Sequence, residues 1–457
     1  MMPESAPDNH KWLVLTTIGV GTFMSALDGS VVNTILPVLS HELHAGIATI
    51  EWVTTVYLLV VSGLLLSVGR AGDLYGHKQL YLGGFVLFVI GSALCGMAES
   101  ARALIALRGV QALGAAALFA TAPAILTRSF PPTQRGRAFG ALGTFTYLGL
   151  AVGPSLGGWL TGAFSWRAVF YINVPVGVLA ILMATRTVQR DRVEQHDETF
   201  DLAGAALFTV GLVALMFALN QGHVWGWTGG RTLGMLASSA MVLGLFIAVE
   251  RRRSHPMLDL TLFRSRVFSG TTLSAVLNYA SVYSLLFVLP FLLIQGRGLT
   301  PQRAGLVLTA QPIVMAIVAP FSGALSDKVG TRVPAVTGML LLALGLTLEA
   351  FAVANGTLTT IALCLAIVGL GVGVFVSPNN SALMGAAPRH RQGIASGVLA
   401  TARNVGMVLG VGVAGAVFTT LASSGLSPAE RMVPGVRGAL LVAAFMAVVG
   451  AVTSALR

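Results

Sequence analysis

The chain has 457 residues, 55% hydrophobic and only 10% charged, with a mean hydropathy of +0.81; a soluble protein carries about a quarter charged residues, so a polytopic membrane protein is indicated. A net charge of +11 would suggest nucleic acid in a soluble chain, but the arginines fall in short loops between apolar runs, where membrane topology accounts for them and no nucleic-acid partner is expected. The two cysteines, Cys95 and Cys364, lie inside apolar runs and have neither disulfide nor metal spacing.

A membrane helix needs about 20 apolar residues, and the chain offers fourteen such runs in order. A polar tail, residues 1–11, precedes a run too long and irregular for a signal-peptide core, so span 1 (about 12–39) is expected to be retained. It contains FMSALDGSVVNTILP (23–37), with Met24, Asn33 and a lone carboxylate, Asp28. Span 2 (about 47–68) opens with Glu51, Trp52 and Tyr57, and the loop GRAGDLYGHK (69–78) follows with Gly69, Asp73 and Gly76. Span 3 covers about 79–98. Span 4 (about 102–128) holds LIALRGVQALGAA (104–116), with Arg108, and ends at Arg128. Span 5 (about 137–162) carries Tyr147 and GLAVGPSLGG (149–158); SWRAVFYINVPVG (165–177) leads into span 6 (about 167–186).

The longest charged stretch, VQRDRVEQHDETF (188–200), reads as a solvated linker. Spans 7 and 8 (about 200–220 and 231–250) flank QGHVWGWTGG (221–230), where Trp225 and Trp227 are expected as interface anchors. Span 9 (about 267–294) carries Asn278, Tyr279 and Tyr283; span 10 (about 303–325) runs into GALSDKVGTR (323–332), with Asp327. Spans 11 (about 333–354) and 12 (about 358–384) carry Glu349, and Phe375 with Asn379. Span 13 (about 393–421) has Arg403 in TARNVGMVLG, and span 14 covers about 436–456.

With the N-terminus inside, roughly 19 Lys and Arg fall on the cytoplasmic side and roughly 7 outside, which places both termini in the cytoplasm. GRAGDLYGHK and GALSDKVGTR share Gly-x-x-x-Asp-x-x-Gly and a following basic residue. Aligning them pairs spans 1–6 with 9–14 and leaves 7 and 8 as an insertion, the plan of a transporter with parallel six-helix halves. The expected division is a tail (1–11), an N-terminal bundle (12–186), linkers with two inserted helices (187–265) and a C-terminal bundle (266–457).

LDGSVVNTILP (27–37), GRAGDLYGHK, LIALRGVQALGAA, GLAVGPSLGG and SWRAVFYINVPVG together resemble the signatures of the major facilitator superfamily, specifically its fourteen-helix drug:proton antiporters. The resemblance covers nearly the whole chain. It implies an all-α fold of two six-helix bundles plus two inserted helices, a gating role for Asp73 with Gly69, Gly76, Arg128, Asp327 and Arg403, and an antiporter signature at Gly149, Gly153, Pro154, Gly157 and Gly158. Leu74 and His77 depart from the family pattern, in which basic residues are usual. Physically, Asp73 either caps a neighbouring helix or pairs with Arg128, while the glycines allow close packing and Pro154 a bend.

An ionisable group within a span costs about 2.5–3.5 kcal/mol even on the mild insertion scale, so Asp28 calls for a reason. Counting helix rise from the span ends puts Asp28 and Arg108 at matching depth, about 8–9 Å from the outer edge. Two readings stay open: a static clamp between spans 1 and 4, or a carboxylate that exchanges a proton for a cationic substrate. Glu51 and Glu349 are further proton-coupling candidates; Glu51 is otherwise a solvated helix-start carboxylate and Glu349 one that snorkels outward. Arg403 is either an interior functional group or a contact between halves.

Met24, Asn33, Trp52, Tyr57, Tyr147, Asn278, Tyr279, Tyr283, Phe375 and Asn379 are candidates for a lining that suits greasy cations. No Walker-type loop is present, so no ATP or other cofactor is expected and an ion gradient should drive transport. The expected function is proton-coupled export of amphipathic, cationic compounds by a monomer in a bacterial cytoplasmic membrane. Its rivals are export of a metabolite, lipid or siderophore on the same fold, a passive channel, or a membrane enzyme; no clustered His/Asp/Glu or metal site supports the last, since His41 and His44 are a solvated pair.

Overall fold

In the computed structural model, which describes residues 8–189, 200–253, 256–421 and 428–457, fourteen apolar helices are long enough to cross a bilayer. They are His10–Glu42, Trp52–Tyr75, His77–Gly96, Ala101–Ser129, Pro132–Ala163, Ala168–Thr187, Leu202–Gly222, Gly230–Glu250, Arg266–Gly296, Arg303–Val329, Arg332–Asn355, Leu358–Ala386, Arg389–Leu421 and Met432–Ala455, spans 1 to 14. Most of the N-terminal tail and of the charged stretch 188–200 lies outside the described residues. No strand occurs among the described residues.

Local chemistry sets many of the helix starts. Ser100, Asp201, Ser265 and Thr357 each accept a hydrogen bond from the backbone N–H three residues on, satisfying donors that a helix start leaves open. Spans 2 and 10 correct the sequence reading. Apolar character fades near Val68 and Leu325, yet the helices run on to Tyr75 and Val329. Gly69 and Gly72 keep helical backbone within span 2, and loss of hydropathy alone does not end a helix. The predicted loops are single tight turns at Gly76 (φ 99°) and Gly330 (φ 84°), a left-handed conformation that glycine adopts without penalty.

Spans 1–6 and 9–14 repeat one set of packings. Span 1 packs on 5 and 6, 2 on 4, and 3 on 4 and 6; correspondingly 9 packs on 13 and 14, 10 on 12, and 11 on 12 and 14. The two halves meet along span 2 against 13 and span 5 against 10. Span 7 lies against spans 2 and 13, where Trp52 meets Phe217 (5.7 Å between rings) and Thr209 donates to Gly63 O. Span 8 packs on span 7, so the inserted pair flanks the joint between the halves. Trp227 packs against Gly412 and Gly415 of span 13, which anchors the insertion to the C-terminal half.

Gly149, Gly153 and Gly157 form one stripe at four-residue spacing against Phe23, Ala26, Ser30 and Val31 of span 1. A β-carbon on Gly153 would sit 2.6 Å from Ser30 Cβ, closer than van der Waals contact permits. The stripe therefore presses span 5 onto the helix that carries Asp28. Gly158 does not belong to it: its face meets no neighbour within 4 Å.

Candidate functional site

Asp28 is 1% exposed and saturated. Arg108 Nη1 donates to Oδ2 (2.7 Å), while Gln111 Nε2 and Asn173 Nδ2 each donate to Oδ1 (3.0 Å). Arg108 Nη1 also donates to Gln111 Oε1 (2.7 Å) and Nε to Val53 O (3.3 Å). Asn173 Nδ2 reaches Ser92 Oγ (3.0 Å) as well. Spans 1, 4 and 6 thus meet at one carboxylate, and spans 2 and 3 hold its partners through Val53 O and Ser92 Oγ. The depth argument places the ion pair correctly; Gln111, Asn173 and Ser92 were missed. Gln111 lies three residues from Arg108 on the same helical face, a legible signal that was not used.

Glu51 does not join this cluster. It stands exposed at the head of span 2, without a side-chain bond to the helix it precedes. Glu349 does not snorkel: it is 0% exposed, among Leu346, Ala350 and Val353 in the core of the C-terminal half. Its carboxylate meets no nitrogen or oxygen donor among the described residues, and the thiol of Cys364 in span 12 is its polar neighbour. Arg297, an opposing charge within electrostatic reach, is held by the carbonyls of Val353 and Gly356. An unsatisfied buried acceptor costs about 1–3 kcal/mol. Glu349→Met, which removes both acceptors at similar size, is therefore expected to leave thermal stability in detergent unchanged or raise it by several degrees; a clear fall in melting temperature would show that the acid itself is structural.

At the face that carries the basic loops, the basic face, the halves are bridged by two matching carboxylates. Asp73, ending span 2, accepts from the backbone N–H of Gly393 (2.8 Å) and Ile394 (2.9 Å) at the start of span 13. Asp327, ending span 10, accepts from Gly136 (2.8 Å) and Arg137 (2.9 Å) at the start of span 5. Each is a charge-assisted cap on a helix N-terminus of the opposite half. Arg128 Nη2 stands 3.6 Å from Asp73 Oδ1, so both sequence readings of Asp73 apply together. Gly69 against Gly393, and Gly323 against Gly136, leave no room for a β-carbon. The second partner of each latch is repeated too: QRGRAFG (134–140) and RQGIASG (391–397) share Gly at the third and last positions.

The seal continues to mid-depth, where Thr144 Oγ1 donates to Ala316 O (3.0 Å) and Asn404 Nδ2 to Ser62 Oγ (2.8 Å). There Arg403 stands partly exposed, about 15 Å along its helix from Gly393 and so away from the latch with which it was grouped. Its guanidinium lies over Phe119 (4.8 Å) and within electrostatic reach of Tyr57, Tyr147, Tyr279 and Tyr283. Of the lining candidates, these four tyrosines are the ones grouped about Arg403, with Tyr279 and Tyr283 partly exposed and Tyr57 and Tyr147 buried. The others go elsewhere. Met24 and Phe375 are buried core, Asn278 donates to Met339 Sδ (3.4 Å), and Asn379 joins Thr271 O to Arg457. Trp52 packs on span 7, and Asn33 is exposed further along span 1.

The sequence profile of the Major Facilitator Superfamily matches residues 18–253 and 271–457. The chain belongs to that superfamily. The transporter is 35% identical over 402 residues to the riboflavin transporter RibZ of Clostridioides difficile, covering 88% of this chain and 87% of that one. It is 35% identical over 424 residues to the multidrug resistance protein Stp of Mycobacterium tuberculosis, covering 92% and 79%. Among solved structures it is similar to the proton:xylose symporter XylE, with a TM-score of 0.69 at 12% identity, over 98% of this chain and 95% of that one; this likeness concerns the fold. The fourteen-helix fold and the assignment as a transporter rather than an enzyme stand on these matches together with the helices described above.

Proposed function

We propose that this chain is a proton-coupled exporter of amphipathic small molecules, working by alternating access, with its termini and basic face in the cytoplasm of a bacterial inner membrane. The observation that carries the reading is Asp28 joined to Arg108, Gln111 and Asn173 in a membrane interior. Multidrug resistance in the relative Stp favours export; transport of riboflavin by RibZ favours a flat, polar-edged substrate.

The coupling is indirect in this reading. Asp28 is too enclosed for a substrate to compete for it, so its proton acts through packing. A proton on Asp28 removes the charge that holds Arg108, whose guanidinium lies 4.2 Å from the Tyr57 ring, and loosens span 1 against the glycine stripe of span 5. Tyr57 lies within electrostatic reach of both Arg108 and Arg403, so the change passes to the joint between the halves, where substrate is held in this reading. No ATP is involved; the proton gradient is the energy source.

The test is reconstitution of the transporter in liposomes with an imposed pH gradient and an interior pH dye. A panel of aromatic drugs should produce substrate-dependent proton movement. Substrate flux that persists with no accompanying proton flux would favour a uniporter or channel and end the antiport reading.

A further inference from the structure

The joint between the halves carries the opposite charge from the one a cation exporter needs. Asp28, the carboxylate expected to attract cations, is neutralised by Arg108 and 1% exposed. Glu349 lies inside the C-terminal half, away from the joint between the halves. Arg403 stands at that joint. Among the described residues it has no carboxylate partner; its contacts are Asn404 Oδ1 at 3.4 Å and the Phe119 ring. A guanidinium in the membrane interior is expensive to keep and points to a ligand or to water.

Its surroundings suit one kind of ligand. Tyr57, from span 2, has a buried hydroxyl with no hydrogen-bond partner among the described residues. Tyr279 and Tyr283, one turn apart on span 9, keep partial exposure although span 9 packs on span 13. Tyr147, buried on span 5 of the other half, stands within electrostatic reach of Arg403. Phenolic O–H groups donate to an anionic oxygen, the planar guanidinium binds a carboxylate side-on, and the rings stack on a flat partner. An ammonium placed there would meet like charge with no carboxylate to answer it.

We propose that Arg403, with Tyr57, Tyr147, Tyr279, Tyr283 and Phe119, forms the binding site for the acidic group of a flat aromatic anion, a carboxylate or phenolate. The proposal rests on the export reading and specifies its substrate class, replacing the cation expected from the sequence. Substrate is held across the joint between the halves, so its binding is sensitive to their rearrangement.

Three probes on one ring test it: anthracene-9-carboxylate, 9-anthracenemethanol and 9-(aminomethyl)anthracene, titrated by fluorescence into the full-length protein in nanodiscs. The carboxylate should bind about ten-fold tighter than the amine, and Arg403→Gln should weaken it about ten-fold while leaving the alcohol within about two-fold. Arg403→Lys should keep the order of the three. Tightest binding of the amine, or unchanged carboxylate affinity in Arg403→Gln, overturns the assignment. Should the Gln variant fail to fold, a Lys variant that binds the alcohol normally but no longer prefers the carboxylate overturns it equally. Gradient-driven flux of the same probes separates the two readings: preferred export of the amine defeats the charge assignment and leaves export standing. If no probe moves, the export reading fails, and the binding order still decides the site.

Discussion

Asp28→Asn is expected to reduce proton-coupled transport at least about ten-fold and to destabilise the fold. The substitution keeps the size of the side chain but leaves Arg108, 1% exposed, facing an amide. Breaking one partner of a buried ion pair costs about 3–5 kcal/mol, because the remaining charge is uncompensated. Gln111 and Asn173 both donate to the oxygen Oδ1 and Arg108 to Oδ2, so an asparagine nitrogen must face a donor whichever way the amide is turned. Stability and coupling are separable by adding Arg108→Gln. The double variant removes both charges and should recover much of the lost stability, measured as melting temperature in detergent, without recovering proton flux. Wild-type proton flux in Asp28→Asn liposomes would remove this residue from the coupling mechanism.

The second large effect is expected at the paired latches. Each of Asp73 and Asp327 accepts two backbone N–H groups of the opposite half. Hydrogen bonds to a charged group contribute about 1.5–3 kcal/mol, and replacing either carboxylate by Asn removes its charge and one of its two acceptors. A loss of about 1.4 kcal/mol per latch is a ten-fold shift in the equilibrium, so the double variant should open the basic face about a hundred-fold more often if the two act independently. Ser396 is fully buried just inside the latch, with its hydroxyl on Ala120 O, and Ser396→Cys supplies a reporter. Labelling by a thiol reagent applied from the basic face should accelerate in Asp73→Asn, and again when Asp327→Asn is added. Equal labelling rates in all backgrounds would mean that the carboxylates cap helices without holding the gate. The symmetry adds a sharper expectation: Asp327→Asn should act as strongly as Asp73→Asn, although Arg128 supports only the latter latch.

The sequence determined what depends on composition and spacing along one helix. Hydropathy alone marks fourteen crossings, because a bilayer demands about 20 apolar residues from every span. The repeated Gly-x-x-x-Asp-x-x-Gly exposed the duplication, since a turn at positive φ and a helix cap need those residue types in either half. The Asp28–Arg108 pair was legible because an isolated charge at membrane depth requires a partner, and helix rise fixes depth well. Rotation about the helix axis is what a single sequence does not fix. That is why Met24, Asn278, Phe375 and Asn379 read as lining yet lie in the core, why Glu349 turned inward to Cys364 instead of snorkelling, and why Gly158 fell off the packing stripe. Only the tertiary structure decided which charge stands at the joint between the halves. Asp28 is satisfied by residues brought from spans 4 and 6, whereas Arg403 lies over Phe119 of span 4, within reach of tyrosines from spans 2, 5 and 9, and has no acid partner among the described residues. Such a balance is a sum over neighbours distant in sequence, and it exists only once the two halves close on each other.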